Sequence, residues 1–143
     1  MEPAAFLELA KDLCKQSDSE AALRSAVSRG YYGLFHSASR FIERNVHQLP
    51  KGATAHAKVY QYLNNCGVPE IAEVAGNLND LREDRNDADY DLEIDKFKDG
   101  NLVMLVYLKA QQAHEIFEAF CRNSKNRQKL VRGISEYRKK TNN

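Results

Sequence analysis

The chain has 143 residues, room for one domain with a buried core, and a nearly balanced charge of 21 Lys and Arg against 20 Asp and Glu. That balance excludes a whole-protein field that would by itself declare a nucleic-acid partner. Cys14, Cys66 and Cys121 are odd in number and have no C-x-x-C spacing, which argues against a disulfide frame and a zinc site and for a reducing cytosol. The opening M-E-P-A-A-F-L-E-L-A-K-D lacks the positive start and long apolar run of a signal peptide. The longest apolar run, residues 102–108, is too short to cross a bilayer. A cytoplasmic protein without a membrane partner is expected. The balance in total hides imbalance in place: residues 70–99 are strongly acidic, and residues 122–140 are basic with Glu136 the sole acid.

In chain order the predicted elements are helices joined by short breaks. Pro3 suits a first helical turn, and Phe6, Leu9, Ala10 and Leu13 carry an apolar face to about Lys15. Q-S-D-S-E then breaks the chain. Ser17 with Glu20 fits a capping box, and Asp18 or Ser19 fits the cap equally well. Residues 19–46, without proline, form the longest predicted helix, with Leu23, Val27, Tyr31, Leu34, Ala38, Phe41 and Ile42 on its apolar face. Gly30 and Gly33 inside it each cost about 1 kcal/mol relative to alanine, which close approach of a helix or a ligand would offset. A second stripe, Ser25, Arg29, Tyr32, His36, Arg40 and Glu43, falls roughly opposite the apolar centre at about 100° per residue. It suits a solvated face, a phosphate-bearing partner held by stacking and charged hydrogen bonds, or a dimer face.

H-Q-L-P-K-G-A-T ends that helix, and Thr54 is the expected cap of a shorter one bearing His56, Val59, Tyr60 and Leu63. Pro69 opens the next helix, whose apolar face is Ile71, Val74, Leu78 and Leu81. Arg85 falls within the same sector. A guanidinium aimed at an apolar face needs an anion, a carboxylate or an interface, because burying it unpaired costs about 3 to 5 kcal/mol. The alternative is an arginine at a fraying end that reaches water along its own stem. Residues 87–100 are acidic and irregular and read as a loop. Asn101 is the expected cap of the last main helix, with Leu102, Leu105, Val106, Ala113, Ile116, Phe117 and Phe120 inward. In the basic tail, Leu130, Val131, Ile134 and Tyr137 suit one more amphipathic helix, which Gly133 weakens. The expected architecture is all-α: an up-and-down bundle of four to five main helices over residues 1–122, followed by a basic helix or tail over residues 123–143.

No E-x-x-H, H-E-x-x-H, Walker loop or G-x-G-x-x-G after a strand occurs. His36, His47, His56 and His114 lie on different predicted elements, so neither a metal nor another cofactor is expected.

Three stretches together resemble one family. R-G-Y-Y-G-L-F-H, residues 29–36, resembles the R-A-Y-Y-A-x-F-H of the second helix of HEPN domains. L-R-E-D-R-N-D-A-D-Y, residues 81–90, resembles the L-x-x-x-R-x-x-A-D-Y that ends a later helix in one branch of that family. T-A-H-A-K-V, residues 54–59, is similar to that branch's T-H-x-x-V with one residue inserted. Order and spacing agree across residues 19–120. The resemblance implies a helical bundle that forms a homodimer, works beside a nucleotidyltransferase-type protein and acts on RNA or nucleotide. It also implies a metal-independent ribonuclease of a toxin–antitoxin or defence system, or a non-catalytic binding, regulatory or scaffold module.

In the ribonucleases of the family an arginine, a following polar residue and a histidine form the site. Arg85 and Asn86 match the first two, and Tyr90 stands in the place of the histidine. Histidine, with a pKa of about 6.5, suits proton transfer in metal-free RNA cleavage, whereas tyrosine, at about 10, is a poor base. Arg85, Asn86 and Tyr90 are therefore the catalytic candidates, with His36 or His56 as substitute acid or base. Arg29, Tyr32, His36, Arg40, His56 and Asp89 are the binding candidates. Asp89, four residues after Arg85, is placed to pair with it and hold it still.

Overall fold

Apolar residues at three- and four-residue spacing close six α-helices around a shared core in the computed structural model, which describes residues 1–141. They are α1 (Ala4–Cys14), α2 (Glu20–Asn45), α3 (Ala53–Asn64), α4 (Pro69–Tyr90), α5 (Gly100–Arg122) and α6 (Ser124–Thr141), with a short 3-10 turn at Lys96–Lys98. No strand forms among the described residues. None of these helices is long and apolar enough to cross a membrane. Asn142 and Asn143 of the basic tail lie outside the described residues.

The central element is α2, which packs against α1, α3, α4 and α5. Its start is set by Ser19, whose Oγ accepts from the Ala22 N–H at 3.1 Å, so of the three possible caps Ser19 takes the role. Tyr31, Leu34, Ile42 and Leu23 point from it into the interior and are at most 1% exposed. Full burial of such side chains contributes about 1.5 to 3 kcal/mol each. Both glycines of α2 sit where helices come close. A Cβ on Gly33 would lie 2.7 Å from Leu7 Cγ of α1, and one on Gly30 would lie 3.4 Å from Ala110 Cβ of α5.

Several boundaries differ from the expectation. α3 starts at Ala53 after Gly52, which takes φ +75°, so Thr54 is inside the helix and does not cap it. α5 is capped by Asp99, not Asn101. The Asp99 carboxylate accepts from the N–H groups of Asn101 at 2.9 Å and Leu102 at 3.3 Å. Its inward face is Val103, Tyr107, Ala110, Ala113, Phe117 and Phe120. Leu105 and Ile116, expected inward, are 67% and 42% exposed because they lie on the neighbouring turn positions of that helix.

The largest correction concerns residues 87–100. α4 runs four residues into the expected loop, to Tyr90, and Ala88 continues the buried face of Leu81 and Arg85. What holds this end is Arg24 of α2, itself only 6% exposed. Its guanidinium donates to the carbonyls of Ala88 at 3.0 Å, Asp91 at 2.9 Å and Ile94 at 2.7 Å, and at 3.4 Å to those of Asp87 and Leu92. Carbonyls at a helix C-terminus have no partner inside the helix and carry its negative end, so a cation there meets two needs at once. Glu20 accepts from Arg24 Nε at 3.1 Å, and the guanidinium lies 5.4 Å from the centre of the buried Phe97 ring.

The basic segment is a helix that shares the core. Leu130 and Ile134 of α6 are fully buried in the same apolar cluster as Tyr62, Leu63 and Phe117. Gly133, expected to weaken this helix, is what lets it dock. A Cβ there would lie 2.0 Å from the Cys66 carbonyl oxygen, in the turn between α3 and α4. Backbone cannot yield as a side chain can. Gly133→Ala is therefore expected to lower the unfolding free energy in urea by about 2 to 3 kcal/mol, the upper part of the range for overpacking. A midpoint equal to that of wild type would show that α6 is not seated as described.

Candidate anion-binding site

Helix α4 brings Arg85 against α2 at the level of Tyr31 and Tyr32. Arg85 is 8% exposed, and its guanidinium carbon lies 5.4 Å from the Tyr31 ring centre, 5.3 Å from Tyr32 and 6.0 Å from Tyr90. Its nearest carboxylate is Asp89, with Nη1 to Oδ2 at 3.9 Å, outside hydrogen-bond reach. Arg85 Nε is buried with no acceptor, and so is Nε of Arg82 one turn earlier on α4. The arginine on the apolar face is thus buried, not frayed into water.

The energetics are incomplete in a telling way. Stacking of a cation on aromatic rings contributes about 0.5 to 2 kcal/mol per contact. Losing the partner of a buried charge costs about 3 to 5 kcal/mol, and a charge-assisted hydrogen bond contributes about 1.5 to 3. Aromatic faces therefore offset part of the desolvation of Arg85 and leave its donors short of acceptors.

Asp89 does not serve Arg85 alone. Ser28 of α2 donates to Asp89 Oδ2 at 3.1 Å, and Arg29 Nη2 donates to Ser28 Oγ at 3.3 Å. The carboxylate is a bridge between α4 and α2 that orients its surroundings. Arg29 also lies over the rings of Phe6 at 5.2 Å and Tyr32 at 5.0 Å. His36 stacks between Phe6, centres 5.5 Å apart, and Tyr32, centres 5.8 Å apart, and one edge of it is open to solvent.

His56 enters from α3. Its ring stacks on Phe35 with centres 4.1 Å apart, and its Nδ1 lies 2.5 Å from the Tyr31 hydroxyl. Burial raises the Tyr31 pKa well above its ordinary value, against the lowering effect of Arg82 and Arg85. The phenol therefore keeps its proton and shares a hydrogen bond with Nδ1 of His56. Burial first, and then Arg82, Arg85 and His36, push the His56 pKa down from 6.5 to about 4. His36 is lowered by burial and by Arg40 and Arg29. Both histidines sit in a field made positive by arginines.

The structure thus brings Arg85, Tyr90, Asp89, Arg29, Tyr32, His36 and His56 to one face built by α2, α3 and α4. Two expected members stand apart. Asn86 is exposed and makes no side-chain hydrogen bond among the described residues. Arg40 is engaged by the N-terminal residues, with Glu2 Oε1 at 3.2 Å and the Met1 carbonyl at 2.6 Å. It lines a cleft of about 530 Å³ that shares only Phe6 and His36 with the cluster, so the open cavity lies beside the Arg85 seat. Tyr31, Ser28, Phe6, Phe35 and Arg82 join the site without having been expected there. Among the described residues no group of three or more His, Cys, Asp or Glu is placed to hold a metal ion.

Such a face suits a negatively charged ligand: its arginines are the donors for a phosphate, while Tyr32, His36 and Phe6 stack on one another and on those arginines. His56, its pKa pushed down to about 4, is neutral and a weak base at neutral pH. Compared with models of known protein families, with curated proteins and with solved structures, the chain has no match.

Because the folded His56 pKa lies below the unfolded value of about 6.5, the unfolded chain binds the proton first as acid is added. The stability this neutral ring contributes is full above pH 6.5 and is lost as the pH falls toward about 4. In an NMR titration the His56 ring is expected to remain neutral at pH 5.5, two pH units or so being too large a gap to mistake. A midpoint near 6.5 would mean that Arg82 and Arg85 do not act on it as the geometry implies.

Proposed function

We propose that the protein is a HEPN-like module that binds RNA or nucleotide phosphate at Arg85, and that the single chain binds without cutting. The observation that carries this reading is the buried Arg85 guanidinium with aromatic faces around it and no hydrogen-bond acceptor. A phosphate oxygen is the partner that such a guanidinium lacks. His36, exposed beside this seat with its faces already stacked on Phe6 and Tyr32, offers a ring nitrogen for a hydrogen bond to the attached nucleoside. The resemblance of residues 29–36 and 81–90 to HEPN motifs supports the same ligand class. By that resemblance the cellular setting is a two-component system with a nucleotidyltransferase-type protein, and the working form is a homodimer.

The ribonuclease reading keeps one observation in its favour. Tyr90 is 77% exposed yet has its ring 6.0 Å from Arg85, so its hydroxyl is free to meet a substrate held there. Against it stands the lowered pKa of His36 and His56, which keeps both rings neutral at neutral pH and without the proton that a general acid gives.

Fluorescence anisotropy with a labelled RNA oligonucleotide in EDTA separates the readings. Wild type is expected to bind and to leave the RNA intact at neutral pH. Arg85→Ala is expected to weaken binding about 10- to 100-fold, the loss of a charge-assisted contact. RNA cut by wild type and spared by Arg85→Ala would establish the ribonuclease instead. Equal affinity of both proteins would remove Arg85 from the site.

A further inference from the structure

The strongest concentration of positive charge in the sequence lies away from the Arg85 face, on α6. Between Ser124 and Thr141 that helix carries seven Lys and Arg against the single acid Glu136. At about 100° per residue, Lys125, Lys129, Arg132 and Lys139 fall within one sector of roughly 80°, opposite Ile134. All four are exposed, and at about 1.5 Å per residue the row is roughly 21 Å long. Glu136 is the one acid in the row.

Among the described residues none of Lys125, Lys129, Arg132 or Lys139 makes an ion pair, whereas Lys15, Arg24, Arg40, Lys96 and Lys98 each do. Arg127, on the flank of the row, is tied to the Cys121 carbonyl at 3.2 Å, and with Arg132 and Asn45 it lines a shallow cleft of about 330 Å³ at the end of α2. Exposed Lys11, Arg44, Lys51 and Arg122 also make no ion pair among the described residues, but they lie on other segments, whereas four unpaired cations line one side of α6.

The chemistry of the helix selects among polyanions. A membrane-surface helix needs an apolar side to sink among the lipids, but the apolar side of α6, Leu130 and Ile134, is fully buried in the core. A protein interface is anchored by aromatic or large aliphatic side chains at its centre. The exposed positions of α6 are Ser124, Lys125, Gln128, Lys129, Arg132, Glu136, Lys139, Lys140 and Thr141, and none is of that kind. Cations without apolar anchors, spread along a fixed rod, match a phosphate backbone, which binds through charge and counterion release.

We propose that the outer side of α6 is a docking surface for the phosphate backbone of RNA, distinct from the Arg85 seat. The choice of RNA rests on the function proposed above; the row of cations does not. Contacts of this kind position a strand without reading its sequence.

The test is anisotropy with a labelled, unstructured poly(U) oligonucleotide over salt from about 50 to 200 mM. The proteins are wild type, Lys129→Glu/Arg132→Glu and Arg85→Ala, with Lys129→Gln/Arg132→Gln as a milder second pair. Four phosphate contacts on a single strand give a slope of log affinity against log salt of about −3. The glutamine pair, which removes two contacts, is expected to flatten the slope by about 1.4, and charge reversal to flatten it at least as much and to weaken binding at least about tenfold. Arg85→Ala, as a single contact, is expected to change the slope by no more than about 0.7. The proposal is overturned if both α6 pairs bind with the affinity and slope of wild type, if wild type binds no RNA, or if wild type prefers phosphatidylserine vesicles to RNA. An α6 effect beside an unaffected Arg85→Ala would keep this surface and discard the Arg85 reading.

Discussion

The end of α4 depends on one side chain from another helix. Arg24 reaches from α2 to five carbonyls between Asp87 and Ile94, and by doing so ends α4 and ties down the acidic segment that follows. Each of those carbonyls would otherwise need water or another donor, and leaving a buried one unpaired costs about 1 to 3 kcal/mol. The segment has little apolar content of its own, with Phe97 its only fully buried side chain. Polar fixation by a buried cation replaces the packing that this stretch lacks.

That fixation has a consequence for the face one turn earlier. With the last turn of α4 held against α2, Ala88 is buried and Asp89 meets Ser28, so Arg85 is pressed between Tyr31 and Tyr32. Two buried arginines of the same pair of helices thus have opposite fates. Arg24 has its donors filled by backbone and Glu20, and its role is structural. Arg85 has rings for neighbours and a carboxylate at 3.9 Å, and its Nε is buried without an acceptor. The nearby histidines are kept neutral by burial and by the arginines, which favours holding an anion over moving a proton.

Much of this was legible in the sequence, and the misses have physical causes. The three- and four-residue spacing located five helices and left the basic segment open as a helix or tail, because apolar periodicity reports which side of a helix is buried. Arg85 stood out for the same reason: it occupied a position that burial demands. The end of α4 was hidden, since Asp87 to Tyr90 are too acidic to look helical and the stabilising group lies more than sixty residues away on α2. The Glu20–Arg24 pair is visible as an i, i+4 spacing, but not its reach. Arg82 sits three residues before Arg85 and was open to the same argument of face. Tyr31 was assigned to the core by its position, correctly, while its hydroxyl also serves His56. Gly133 was misread because propensity describes an isolated helix, whereas the close approach to Cys66 belongs to the tertiary structure.

Arg85 is a buried cation whose Nε–H has no acceptor, and that N–H reports directly on the anion binding proposed for it. In 15N-resolved NMR with a nucleoside 5′-monophosphate added stepwise, the Arg85 Nε–H resonance, assigned by its loss in Arg85→Lys, is expected to shift and to exchange more slowly with water. The Arg24 Nε–H, already bonded to Glu20, is expected to stay in place. An Arg85 resonance unmoved at saturating nucleotide would contradict the account.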